Sequence, residues 1–536
     1  MKLKNLCVVL LILLTGEAIG QVVTGTITSD DGPLPGATVI IKDTEIGVVA
    51  DFDGRYTLNK VNTGDVLVFS YVGYKPKEVT YSGQAEINVQ LLEDLFSLDE
   101  VVIVNYGTQR NTPVSVIEAE ELSEFPTTDI GQALQGRAAG VTITNGGSPG
   151  SQTLIQIRGV NTFGDGTPLF VVDGVFTNSI NSLDLASIEK IDVLKDAASL
   201  AVYGSRGTNG VILITTKKGK VGNATLSLNV SSGIQEFNRR YDLLNTEQYI
   251  QFLREVNALA GQNGGPDFPV GRINDNPTFD GNGIDTDWQD AYFRQAPMYN
   301  ISANVNGGSE KARFNVALSR LDQEGVFIDT GFTRTTLNVN TDANIGKWLE
   351  VGQTLSLAYN ETVSPEREGG RDPFQNIIGQ APYVPVRTES GLFGGTNSDD
   401  LNDSRNQVRI QESQDNLTRF SSAIGSLYAK FNIAKGLSYR SQFGLNANLL
   451  LQDLERRAFA EDGGRFVNPI NFIDKTRQTL SQTVFTNTLT FDREFGKHSV
   501  NASAVLEQTR IRFESASISD NNEVSSEIPE VFSPNA

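Results

Sequence analysis

The sequence predicts a mainly β protein built in three successive parts, and three observations carry that prediction. From about Leu226 onward, apolar and polar residues alternate with a period of two, as strands with two unlike faces require. Gly-, Asn- and Asp-rich turns punctuate the chain, which holds 51 Gly and 14 Tyr among 536 residues. A mixed block from Leu154 to Gly219 precedes the alternating region: two short strands cut by an Asp-Gly turn, an Ala-rich helix, then a final strand.

Composition narrows the chemistry. A formal charge of −20 argues against nucleic acid, which needs a basic footprint. The lone cysteine, Cys7, lies in the apolar leader, so a thiol nucleophile, a disulfide framework and a cysteine zinc site are excluded. A serine triad would have to use the lone histidine, His498, and no nucleophile elbow lies near it. The residues therefore predict no enzyme, no catalytic set, no metal site and no cofactor.

Residues 1–20 read as a secretory signal. Lys2 and Lys4 form its positive start, residues 6–14 an apolar core too short to span a bilayer, and Ala18-Ile19-Gly20 the cleavage positions. Residues 21–93 alternate like a small β-sandwich, with DDGPLPG and DFDGR as turns. Asp51, Asp53 and Gly54 read as a hairpin turn in preference to a calcium site. Residues 94–112 contain SLDEVVIV, a β-branched segment able to add as a strand to an open sheet edge or to extend the sandwich.

Residues 113–220 form an α/β unit, with Thr128 or Asp129 as the cap of its first helix. Gly204, Gly207 and Gly210 imitate a phosphate loop, but here the helix precedes the strand, which is the wrong order for one. Tight turns are the better reading.

Residues 221–536 give about nine strands, roughly 224–237, 298–306, 311–320, 333–342, 349–360, 417–430, 437–451, 477–492 and 498–513. Short turns alternate strictly with longer excursions at 238–297, 321–332, 361–416 and 452–476. A soluble sandwich also alternates in polarity. The parity of connection lengths is the better sign of an outer-membrane barrel, with short turns on one side and long loops on the other.

These stretches carry a resemblance. ALQGRAAGV, IQIRG, PLFVVDGV and IEKIDVLKDAASLAVYGSRGTNGVILITTK resemble the plug domain of TonB-dependent outer-membrane transporters, and the wording is closest to the SusC/RagA family. By that resemblance, residues 21–93 are a carboxypeptidase-regulatory-like β-sandwich, 94–112 a TonB box and linker, and 113–220 the plug. Residues 221–536 become the first strands of an incomplete barrel of about 22 strands whose C-terminal half is missing. Leu98, Asp99, Glu100, Val101, Val102, Ile103 and Val104 would form the TonB box. The resemblance implies import of glycan fragments, or peptides second, in the Gram-negative outer membrane. It implies outer-membrane lipid around the barrel, with the N-terminal domain and TonB box periplasmic. TonB with ExbB/ExbD and a SusD-like surface lipoprotein are the expected partners. In the long loops, Trp288, Tyr383 and Phe393 are the aromatics placed to stack on substrate. The rival readings are a siderophore or vitamin receptor of the same architecture, a secreted adhesin or structural β protein, and a periplasmic hydrolase.

Overall fold

The structure is a computed structural model. It describes residues 21–520 apart from 30–31, 43, 45, 72–73, 75, 92–114, 119–128, 160–165, 197–199, 263–280, 369, 397–402, 463–464 and 496–497. The expected leader and the segment Leu98–Val104 lie outside the described residues, as does Thr128. The chain divides into two units, Met1–Val104 and Asn105–Ala536.

The first unit is a sandwich of two sheets. In one, Gln21–Ser29 pairs antiparallel with Gly32–Pro33 and Arg55–Val61, and parallel with Val89–Gln90. The other runs Gly47–Val49, Thr38–Ile41, Val66–Ser70, Lys77–Thr80. Alternate residues of both sheets, among them Val23, Leu58, Val39 and Phe69, meet in one core. Buried Tyr56 donates its hydroxyl to the Ile87 carbonyl at 2.9 Å, so the core carries no lost hydrogen bond there. The Asp51 carboxylate accepts from the amides of Asp53 and Arg55 at 3.0 and 2.8 Å, and Gly54 takes φ +71°. That is the geometry of a turn.

The second unit starts with a five-stranded mixed sheet in the order Val175–Thr177, Leu169–Val172, Val211–Thr216, Ile188–Leu194, Ser115–Glu118. Val211–Thr216 is buried along its whole length, which explains its unbroken apolar reading. A two-stranded ribbon, Val141–Thr144 with Leu154–Ile157, and the helix Ile130–Leu134 pack on the same core. Asp129 caps that helix by accepting from the Gln132 amide at 2.8 Å. Of the expected Ala-rich helix, residues 197–199 lie outside the described residues; the Leu200 amide donates to Asp196 O at 3.1 Å, and a 3₁₀ segment, Ala201–Gly207, follows, interrupted where Gly204 takes φ +57°. Gly210 turns the chain into the next strand at φ +92°, where an added Cβ would sit 2.6 Å from Ile157.

Nine antiparallel strands follow as a simple meander: Gly222–Gln235, Ala296–Gly308, Ala312–Glu324, Gly331–Ile345, Leu349–Val363, Gln414–Ala434, Leu437–Arg456, Phe472–Phe495 and His498–Asp520. Several run past the stretches in which polarity alternates. Ladder bonds need no apolar side chain, so pairing continues where the pattern has faded. At 13 to 24 residues they exceed the roughly 9–11 that a bilayer crossing requires. The connections 309–311, 346–348 and 435–436 gather at one end, and 325–330 with the described parts of 236–295, 364–413 and 457–471 at the other.

The two faces of this sheet are inverted relative to a water-soluble protein. Asn315, Ser319, Thr336, Asn338, Asn340, Ser356 and Asn446 are buried, with Thr336 only 1% exposed. Their strand neighbours Leu318, Leu357 and Leu445 face outward, as do Phe485 and Leu226, the last 71% exposed. Water would select the opposite arrangement, so the outer face is built for an apolar surrounding.

Candidate functional site

The buried polar row of the sheet clasps the five-stranded unit, mostly through side-chain amides that donate to backbone carbonyls. Asn306 Nδ2 reaches Lys218 O at 2.8 Å, and Asn340 Nδ2 reaches Lys217 O at 2.8 Å and Thr216 Oγ1 at 2.7 Å. Gln442 Nε2 bonds Asp173 O at 3.0 Å, and Asn446 Nδ2 bonds Phe176 O at 2.9 Å. Apolar contact joins them: Ile424 of the sheet enters the core of the α/β unit. Close approach explains Gly444, where a Cβ would come within 2.9 Å of Val175.

Charge adds two ties. Arg334 donates to Asn181 O at 3.2 Å and lies 3.9 Å from Asp184, both side chains being buried. Arg206 stacks over Phe176 at 4.1 Å and pairs with Glu507 of the last strand. Toward the long connections, a polar cavity of about 90 Å³ is lined by Gly150 and Asn181 of the α/β unit and by Gln323, Phe332 and Arg334 of the sheet.

The described parts of the long connections pack on one another around a shared apolar core, which forms a wall at that end of the sheet. Among the described residues four helices lie there: Thr246–Gln262, Trp288–Tyr292, Pro373–Gly379 and Gln407–Glu412. The shorter three are capped by Asp287, Asp372 and Asn406, which accept from first-turn amides. An aromatic core joins the segments, with Phe237 stacked on Phe293 at 4.5 Å and Tyr292 on Phe327 at 5.3 Å. Tyr292 donates to Gln411 Oε1 at 3.1 Å, and burial pushes its phenol above the ordinary range.

Of the aromatics expected to meet substrate, Trp288 and Tyr383 belong to this core, at 2% and 3% exposure. Trp288 Nε1 donates to Ala381 O at 3.1 Å. Neither ring presents an open face, since tertiary packing of the loops has enclosed them. Phe393 is half-buried and carries the Arg387 guanidinium 3.9 Å over its ring. The structure does not bring the three together as one platform.

Sequence reading missed a buried ionic cluster beside this wall. Arg409, 0% exposed, donates from Nε to Glu461 Oε1 at 2.9 Å, pairs with Glu368 and stacks over Phe459 at 3.7 Å. Arg405 bonds the other Glu368 oxygen at 2.7 Å. Burial pushes the Glu461 carboxyl up to about 7, while Arg409 opposes that shift. Glu368 and Glu461 lie far from Arg409 in sequence, so no spacing could have announced the cluster.

A polar-lined, outward-apolar strand meander packed against an α/β unit is the fold of TonB-dependent receptors, a family of outer-membrane β-barrel proteins that are not enzymes. Comparison with known proteins agrees. The TonB-dependent Receptor Plug Domain matches residues 108–211, and the CarboxypepD_reg-like domain matches 23–103. TonB-dependent receptor P26 of Formosa agariphila is 35% identical over 438 residues, covering 79% of this chain and 42% of the relative. TonB-dependent receptor SusC of Bacteroides thetaiotaomicron is 36% identical over 356 residues, covering 62% and 34%. The solved RagAB peptide importer in its closed-closed state superposes with a TM-score of 0.66 at 22% identity, over 79% of this chain and 50% of that one. The chain thus spans about half the length, or less, of these relatives. Its N-terminal domain, plug and barrel strands are those of a SusC/RagA-type TonB-dependent receptor.

Proposed function

We propose that this chain serves TonB-dependent import of oligomeric nutrients across the outer membrane, glycan fragments first and peptides second, beneath a SusD-like lipoprotein. One observation carries the reading: the plug is sealed to the polar inner face of the sheet by many neutral amide bonds and few charges. Each such bond is worth about 1 kcal/mol net, so a pulled plug can be released bond by bond at modest cost. The likeness to SusC supports the lid partner, and the likeness to a peptide importer keeps peptides open.

In this reading the long connections face the outside, and the N-terminal domain with Leu98–Val104 faces the periplasm. TonB, driven through ExbB/ExbD, takes Leu98–Val104 as an added strand and pulls. Substrate collects between the plug and the wall of long connections. Phe393 contacts it there, while Trp288 and Tyr383 hold the wall in shape.

The test is Val102→Pro, which removes a strand donor without altering the plug. Uptake should fall to background while surface binding persists. Unchanged uptake would remove the import reading and favour a structural β protein.

A further inference from the structure

We propose that an arginine-lined pocket at the long-connection end binds the carboxylate or sulfate ester of an acidic oligosaccharide. The pocket holds about 280 Å³ and is walled by Arg405, Arg456, Arg457 and Arg465 with Phe459 and Phe466. This rests on the import reading and narrows its substrate class.

Four guanidinium groups around one small space stand out in a chain of net charge −20. The lining includes a single carboxylate, Glu368, and that is already shared by Arg405 and buried Arg409. Arg457 pairs with Asp415 and donates to Glu412 O at 3.0 Å. Arg456 is held differently: its Nε donates to the neutral amide of Gln414 at 3.2 Å, and its guanidinium lies 5.5 Å over Phe472. The charge of Arg456 also acts on the Glu366 carboxyl, opposing the rise that burial causes there. Beneath the pocket, Arg409 Nη2 is buried without a hydrogen-bond partner, while its other nitrogens serve Glu461 and Glu368. Planar guanidinium forks match carboxylate and sulfate oxygens two at a time, and four of them line this one space.

Two observations favour a sugar. Ser413, Gln414 and Asn468 line the same pocket, supplying neutral partners for ring hydroxyls beside the charge. Position excludes the membrane's own phosphates. Gln414 and Arg456 are register partners, and they share the odd-even parity of the inward residues Ser422, Ser426 and Asn446. The pocket thus opens on the inner side of the sheet, away from lipid.

The experiment is calorimetric titration of the full chain, purified in detergent, with tetragalacturonate, its methyl ester, a sulfated tetrasaccharide and tetra-aspartate. Tetragalacturonate should bind, weaken with added salt, and lose at least tenfold in affinity in Arg456→Gln/Arg465→Gln with an unchanged unfolding temperature. The sulfated sugar should compete, and the neutral ester should not. Equal binding of ester and acid, an unaffected double variant, no binding of either acidic sugar, or tighter binding of tetra-aspartate each overturns the proposal. Uptake that still requires Val102 while no acidic sugar binds would sink the pocket and leave import standing. Acid binding with uptake indifferent to Val102 would do the reverse.

Discussion

Asp173 and Thr216 are bonded to each other twice inside the plug. The Thr216 amide donates to Asp173 Oδ1 at 3.0 Å and its hydroxyl to Oδ2 at 2.6 Å. Asp173 holds the left-handed conformation, φ +46°, that opens the turn before Val175. Thr216 in turn accepts from Asn340 of the barrel sheet, so the pair joins the plug's own turn to its seal. Replacement by glycine keeps the backbone and removes both bonds, which should cost about 2–3 kcal/mol because Thr216 is left buried and unsatisfied. Alanine should cost about 1 kcal/mol more, for the strain of φ > 0. Urea midpoints of Asp173→Gly and Asp173→Ala check this. Two variants as stable as the parent would show that the turn does not depend on the bonds.

Arg334 ties the barrel sheet to the plug through Asp184 and the Asn181 carbonyl. Removing one partner of a buried pair leaves the other charged and uncompensated, at about 3–5 kcal/mol. Arg334→Leu should therefore loosen the plug more than Arg334→Leu/Asp184→Leu does. Protease susceptibility of the plug reads the difference. A double variant as fragile as the single one would show that the two residues act independently.

Glu461 makes the wall of long connections sensitive to pH. Its carboxyl is raised by burial to about 7 from 4.5, the pairing with Arg409 being the smaller effect. A raised acid binds its proton more tightly in the folded state. Its contribution is therefore most favourable below about pH 4.5 and is lost as pH climbs toward 7. The loss is on the order of 3 kcal/mol. Burial raises Glu366 in the same direction. Hydrogen exchange at Phe459–Asp462 should quicken between pH 5 and 7 in the parent, and quicken less in Glu461→Gln. Parallel profiles would assign the dependence to other groups.

The sequence made some levels of this molecule readable and hid others for physical reasons. Strand order and the parity of connections were legible because alternation and Gly-Asn-Asp turns are local properties. The helix cap was narrowed to Thr128 or Asp129 for the same reason, and Asp129 holds that place. The inversion of the faces was not legible, since Leu357 and Ser356 alternate alike in either solvent. Nor was the fate of Trp288 and Tyr383, whose enclosure depends on Phe237, Phe327 and Phe374 arriving from separate loops. Arg409 with Glu368 and Glu461 is the extreme case, three residues from two connections, far apart in sequence and made into one cluster only by folding.

That inversion gives the prediction whose sign is least ambiguous. Leu357 faces outward, paired in register with Leu337 on one side and Ala423 on the other. On a water-exposed sheet, Leu357→Arg would change stability by less than about 0.5 kcal/mol. On a bilayer-facing sheet the same change should cost about 2–4 kcal/mol near the midplane. The neighbouring Ser356 faces the plug side and is buried. Ser356→Thr should therefore be tolerated in lipid while Leu357→Arg is not. Folding into phospholipid vesicles, followed by urea titration, separates the two cases. A Leu357→Arg variant as stable as the parent would mean that this face does not meet lipid, and the outward leucines would then need a protein partner to cover them.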